Sequence, residues 1–417
     1  MKPTSRVKRI KDKRFSGLLV CFAFMFWLGG TQAEEVTIEI LHYFGVRDQQ
    51  QALSEVVTAF QQSNPDIKVR LTLVPFGELL GRTLQTAAVH RPPAIAALDN
   101  PDVLRAAKAG VLADIFPSLS QFPDWKNIYD EVKKTISDRD HVYGIPIGSN
   151  GVGLYYNKKM FSDAGIQEPP KTWDDLIQSA KRLTKAPVYG IAFPAINTED
   201  CTGTWEAFLW SNGGSLLYLG SDQAKQALKL WVDLVQNGYA SRDVLNWSGG
   251  DVADQFIGGR TAMMVSGPWM LRAVKRSGLD YGIVPIPVPK TGEAPVVALG
   301  GEVWCVMKND KKIESAALKF IAFAQEPERL LKFCQTCNYI SSVRDVARKQ
   351  AEAQPDLRPF VSQMEAARAR TLEGGARYPI VSQITRAAIQ KALTSQDSID
   401  ASLTHAAVEI KKLGIKE

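Results

Sequence analysis

The chain has 417 residues, 45% of them hydrophobic and 23% charged, which is an ordinary globular composition with length for two or more cored domains. Its net charge of +6 looks basic, yet Lys2, Arg6, Lys8, Arg9, Lys11, Lys13 and Arg14 crowd the start of the chain against Asp12 alone. Without that segment acids and bases balance, so charge gives a nucleic-acid footprint no support and no nucleic-acid partner is expected.

The basic segment runs into apolar residues 17–30 and then Thr31-Gln32-Ala33, the pattern of a cleavable secretory signal peptide over residues 1–33. The apolar run falls short of the roughly 20 residues that span a bilayer. Cys21 follows Val20 early in that run, unlike a lipoprotein cleavage site. Export to the periplasm would place Cys201, Cys305, Cys334 and Cys337 in an oxidising compartment, where up to two disulfides can form. Their connectivity stays open. For Cys334-Gln335-Thr336-Cys337 a structural or local disulfide is favoured over a redox pair or half a metal site.

In chain order, residues 36–42 alternate as a first strand. Leu53, Val56, Val57 and Phe60 then mark one face of a helix that Asn64-Pro65 ends. Residues 67–74 alternate as a second strand, residues 78–89 read as a helix, and residues 94–98 form a buried-type strand ending at Asp99-Asn100. A further helix stops at Gly110. Strands alternating with helices predict a parallel-type α/β domain, whose ligands gather at the strand carboxyl ends. Tyr43, Phe44, Asp99 and Asn100 lie at such ends.

The stretch from Tyr143 to Lys158 passes through Pro146 and Gly148-Ser149-Asn150-Gly151 into an apolar, aromatic run. It predicts a strand leaving one domain, a pliable crossover, and a strand entering the next. Asn150 stands at that seam, where clefts form. Thr172 is expected to cap a helix starting at Trp173, with Asp175 as its reciprocal partner. Residues 205–210 begin a helix that Asn212-Gly213-Gly214 stops. Leu228, Trp231, Leu234 and Val235 form a core-facing helical stripe. Residues 262–265 form a strand into Ser266-Gly267-Pro268-Trp269, and residues 283–288 are expected to be an edge or linker. Gly300-Gly301-Glu302 runs into a strand as a second crossover, and residues 338–343 are a candidate third. Residues 382–412 are mostly helical.

His42, His90, His141 and His405 show no helical zinc spacing, and no nucleophile elbow, P-loop or dinucleotide fingerprint occurs. The expectation is a non-enzyme without cofactor or metal. What stands out is aromatic and amide content at loop ends, suited to polyhydroxylated ligands that offer C–H faces for stacking and hydroxyls for planar polar groups. Trp269, on a Gly-Pro turn after a strand, is the leading stacking candidate. Trp205 is a second, Trp125 and Trp247 are weaker, and Trp210, Trp231 and Trp304 are expected in the core.

Phe60-Gln61-Gln62-Ser63-Asn64-Pro65, Tyr143-Gly144-Ile145-Pro146 with Leu154-Tyr155-Tyr156-Asn157-Lys158, Pro170-Lys171-Thr172-Trp173, Phe256-Ile257-Gly258-Gly259-Arg260 and Gly267-Pro268-Trp269 follow in an order and spacing that resembles one family. It is that of the extracellular solute-binding proteins of bacterial ABC sugar importers, the class that includes maltose-binding protein. The resemblance implies an α/β fold of two lobes joined by three crossovers, closing on a sugar by hinge motion. It implies a first lobe of residues 34–149 with 306–340 and a second of 150–305 with 341–417. The partners it implies are a sugar or oligosaccharide, or a polyol or sugar phosphate, and an ABC permease, with the receptor a monomer. Trp269 matches a stacking position and Asn150 a crossover position that contacts hydroxyls. Asp99 and Asn100 fall near first-lobe polar contacts, Trp205 near a second-lobe aromatic, and Arg377-Tyr378 near a C-terminal aromatic contact. Tyr43, Phe44, Gly301 and Glu302 complete the expected ligand set. Pro93-Ala94 and His42-Tyr43-Phe44 depart from the common pattern. Alternatives are ferric-ion capture by Tyr155 and Tyr156, or an exported carbohydrate enzyme using Glu302 or Asp99.

Overall fold

A computed structural model of the protein describes residues 35–415. The signal-peptide expectation for residues 1–33, with Cys21, lies outside the described residues. Two sheets are built from β1 (Val36–His42), β2 (Ile67–Leu73), β3 (Ile95–Asp99), β4 (Ile145–Pro146), β5 (Gly153–Asn157), β6 (Met263–Ser266), β7 (Tyr281–Val284) and β8 (Glu302–Val306). The helices that bear on the site are α1 (Arg47–Ser63), α2 (Asn100–Lys108), α3 (Glu199–Ser211), α4 (Gly249–Ile257), α5 (Leu271–Arg276), α6 (Pro327–Cys337) and α7 (Tyr378–Leu393).

The first lobe is a five-stranded sheet in the order β2-β1-β3-β8-β4. The expected parallel pairing holds for β1 with β2 and β3, but β8 runs antiparallel to both β3 and β4, so the sheet is mixed. The reason is topological: β8 is chain returning from the second lobe and enters from the opposite end. Side chains alternate across the sheet, as strand geometry requires. Ile38, Ile40, Ile95, Ala97, Trp304 and Val306 join one core, while Leu41, Ala96, Leu98, Val303 and Cys305 join the other. Both faces are covered, which explains why residues 94–98 read as an unbroken apolar run. Because β8 belongs to this sheet, the change of lobe falls before Glu302 and not at the expected 305/306 boundary.

The second lobe centres on an antiparallel sheet in the order β6-β5-β7. Its third strand occupies part of the region expected as an edge or linker and starts at Tyr281. Thr172 caps the following helix with Asp175 in a reciprocal capping box. Trp231 is fully buried with Phe193 and Phe208 against it, and Trp210 and Trp304 are also buried.

Three extended segments join the lobes and are bonded to one another. The Asn150 and Gly300 backbones exchange hydrogen bonds of 3.0 and 2.9 Å, and those of Ser149 and Ile340 exchange bonds of 2.7 and 3.0 Å. The Ser149 and Ser342 hydroxyls lie 2.8 Å apart. Gly301 has φ +141°, and a Cβ there would fall 2.2 Å from the Gly148 carbonyl oxygen, so only glycine fits between the segments.

Cys201, Cys305, Cys334 and Cys337 are all buried free thiols, and the disulfide expected between Cys334 and Cys337 is not formed. Both lie in α6, one helical turn apart, and face the first-lobe core. The Cys334 thiol instead donates to the Ile147 carbonyl oxygen at 3.5 Å.

Candidate functional site

A cavity of about 580 Å³ lies between the lobes, within the range of small-molecule sites. Tyr43, Phe76, Asp99 and Glu302 line its first-lobe side, Glu199, Asp200, Trp269 and Arg370 its second-lobe side, and Asn150 with Gly300 the hinge.

Trp269 reaches the cavity because of the turn before it. A Cβ on Gly267 would fall 1.9 Å from Trp269 Cζ3, so the indole folds back over a residue that must be glycine. The Tyr155 hydroxyl donates to the Gly267 carbonyl oxygen at 2.8 Å and pins the turn from below. The ring is half-buried and packs against the cores of both lobes. Across the cavity, Tyr43 and Phe76 form an aromatic pair with ring centroids 4.9 Å apart.

The polar floor is organised by Arg370, on the turn after the short strand Arg368–Ala369. Its Nη2 donates to both Asp99 carboxylate oxygens at 2.8 Å and to Asn100 Oδ1 at 3.3 Å. Its Nη1 donates to Glu199 Oε1 at 2.7 Å, and its Nε to the Leu299 carbonyl oxygen at 3.2 Å. One side chain therefore ties the end of β3, the start of α3 and a hinge segment together. The Tyr378 hydroxyl extends the cluster by contacting Glu199 at 2.6 Å and Glu206 at 2.9 Å. Burial raises the Asp99 carboxyl above its usual range against the pull of Arg370, and burial with Glu199 beside it raises Glu206 far more. Arg370 stays charged because Asp99 and Glu199 outweigh the cost of its burial.

Glu302 is different. Burial, reinforced by the nearby charge of Asp99, pushes its carboxyl up to about 8, so it is mostly the neutral acid at neutral pH. The Tyr43 hydroxyl donates to its Oε1 at 3.1 Å. Asp200, also raised by burial, accepts the Gly249 backbone N–H at the start of α4 at 3.2 Å.

Of the sequence-predicted residues, Tyr43, Asp99, Asn150, Trp269 and Glu302 come together on the cavity wall. Phe44 does not: it is fully buried among Trp304, Phe333 and Tyr339. Trp205 is likewise fully buried in the second-lobe core, because the inner face of α3 carries it away from the cleft. Asn100 and Tyr378 sit behind the wall, holding Arg370 and Glu199. Gly301 supports the hinge, where its carbonyl oxygen accepts the Asn100 N–H at 2.9 Å, and Arg377 precedes α7 outside the lining. The adjacent tyrosines considered for iron diverge as strand neighbours do: Tyr155 packs on Phe256 and Phe360, Tyr156 on Phe161. Sequence reasoning missed Arg370, Glu199, Asp200 and Phe76. The helix-start pattern Thr198-Glu199-Asp200 and the Gly374-Gly375 pair just after Arg370 were the available signals.

The model for the bacterial extracellular solute-binding protein family matches residues 55–359, and the chain belongs to that family. A binding protein of Brucella abortus (strain 2308) is 24% identical over 94% of this chain and 97% of its own length. Maltodextrin-binding protein MdxE of Bacillus subtilis (strain 168) is 27% identical over 61% of this chain and 63% of its own. Among solved structures, the maltose-bound MalE3 of T. maritima has a TM-score of 0.84 at 23% identity, covering 91% of this chain and 100% of that one. An ABC transporter solute-binding protein from Thermotoga lettingae TMO bound with alpha-D-tagatose has a TM-score of 0.83 at 22% identity, covering 91% and 99%. These likenesses establish the two-lobed solute-binding fold.

Proposed function

We propose that this protein is the periplasmic receptor of an ABC importer, exported by a cleavable signal peptide. It binds an uncharged sugar or oligosaccharide between its lobes and delivers it, as a monomer, to the membrane permease. The observation that carries this reading is the interlobe cavity, with Trp269 on one wall, the Tyr43–Phe76 pair on the other, and planar acceptors between them. Aromatic faces suit the C–H faces of a pyranose, and carboxylates held in place accept its hydroxyls. The names of the related maltodextrin, maltose and tagatose binders support the same ligand class.

The lining favours a neutral sugar over a sugar phosphate. Among the described residues, Arg370 is the only cationic side chain on the cavity wall, against the carboxyl groups of Asp99, Glu199, Asp200 and Glu302. Each of its three guanidinium nitrogens already donates within the protein. A phosphate would meet negative charge with no open cation to offset it. The role is capture, not turnover: closure buries the ligand, and the liganded form is the one the permease meets. Thermal-shift and calorimetric titration with mono- and oligosaccharides, polyols and sugar phosphates tests this. A neutral sugar should raise the melting temperature. A response to phosphates alone, or to none of the panel, would overturn the reading.

A further inference from the structure

At the mouth of the cleft, away from the cavity floor, another ionic contact crosses between the lobes. Asp48 stands in the first turn of α1, between Val46 and Gln49, both of which line the cavity. Its side chain is only 7% exposed. Among the described residues, both of its ion-pair partners belong to the second lobe. Arg276 Nη2 donates to Oδ1 at 2.9 Å, and Arg272 Nε lies 3.6 Å from Oδ2. The two arginines are four residues apart on one face of α5, the helix that follows directly from Trp269 and Met270 on the cavity wall. They are 38% and 56% exposed, so a shielded carboxylate of one lobe meets two solvated cations of the other.

We propose that Asp48, Arg272 and Arg276 form an interlobe clasp that sets the affinity of the cleft for every ligand without touching any of them. The clasp rests on the reading above only in that the ligand lies between the lobes. Separating the lobes would part the carboxylate from both of these arginines and return all three groups to water, so the contact favours the closed arrangement alone. A contact that biases the closed arrangement alone multiplies the apparent affinity of all ligands by one factor. The factor is modest, because the arginines are open to water, and it is sensitive to salt. An uncharged sugar has no charge of its own to screen. Salt dependence of its binding would therefore report the clasp.

Two measurements test the proposal on the mature protein, comparing wild type with Asp48→Asn and with the double variant Arg272→Gln/Arg276→Gln. The first is small-angle scattering without ligand, from about 10 mM to about 1 M salt, over which the screening length falls from about 30 Å to about 3 Å. Wild type should expand as salt rises, and both variants should show the expanded dimension throughout. A radius of gyration equal in all three proteins at low salt would overturn the clasp. The second is calorimetric titration with maltose and the other neutral sugars of the panel. Each variant should bind every responding sugar about two- to fivefold more weakly at low salt, by a common factor that disappears at high salt. A loss confined to one sugar, or unchanged by salt, would also overturn it. If no sugar binds wild type, the sugar reading fails while the scattering comparison still decides the clasp. Melting temperatures of the folded variants exclude a trivial loss of structure.

Discussion

Two of the ionic contacts between the lobes, at the cleft floor and at its rim, share a chemistry and differ in environment. At the floor, Arg370 is 6% exposed and holds Asp99 and Glu199, themselves 7% and 17% exposed, in one hydrogen-bonded cluster. At the rim, Arg272 and Arg276 stay half-open to solvent around Asp48. Breaking a pair buried on both sides costs about 3–5 kcal/mol, whereas a pair whose cations stay in water is screened toward the roughly 0–1 kcal/mol of exposed pairs even with its carboxylate shielded. The floor contact is therefore architecture, fixed by the penalty of breaking it, and the rim contact is an adjustment of the balance between arrangements of the lobes. Equal distances do not make equal bonds.

The strongest way to break this contrast is Arg370→Met. It leaves Asp99 and Glu199 buried and uncompensated, and should lower unfolding stability by about 3–5 kcal/mol in denaturant titration. A loss no larger than that of Asp48→Asn would erase the distinction between floor and rim. Tyr378→Phe probes how far the floor cluster extends. Removing the hydroxyl that serves both Glu199 and Glu206 should cost about 1–3 kcal/mol, measured the same way. Trp269 packs on both cores between floor and rim. Trp269→Ala should weaken sugar binding roughly tenfold to a hundredfold, about 1.4 kcal/mol for each factor of ten, by calorimetry. An unchanged affinity would remove the indole from the site.

A further test is the pH slope at Glu302, whose carboxyl rises from 4.5 to about 8 on folding. Between those values the unfolded chain has lost a proton that the folded chain keeps, so wild-type stability falls as pH rises through that window and levels off above it. Glu302→Gln carries no such proton. Its stability relative to wild type should improve steadily from about pH 5 to about pH 8, and parallel stability curves would count against the neutral acid.

How much of this could be read from the residues depends on how local the cause was. Gly148-Ser149-Asn150-Gly151 announced a hinge because conformational freedom is a property of the glycines themselves. Asp99 was legible because a strand followed by an Asp-Asn helix start is a local pattern. Trp269 was legible because the Gly-Pro turn that aims it stands beside it. Arg370 was not, since its partners Asp99 and Glu199 lie 271 and 171 positions away in the chain. Trp205 and Phe44 were credible cleft residues by position, yet the phase of α3 and the turn after β1 carried them inward. The expected thiol pairing failed for a related reason: spacing proposed a bond, while burial in the core gave each sulfur other neighbours.

Those four thiols also make a built-in clock. Cys305, Cys334 and Cys337 are sealed in the first lobe and Cys201 in the second, and burial pushes the pKa of every one above its ordinary value, Cys334 to about 12. A buried thiol kept from ionising does not attack an alkylating reagent until its surroundings open. The rate at which Cys201 becomes labelled thus times the opening of one lobe, and the rates at the other three time the opening of its neighbour. Mass spectrometry of the labelled peptides would tell whether the lobes come apart as one cooperative body or as two.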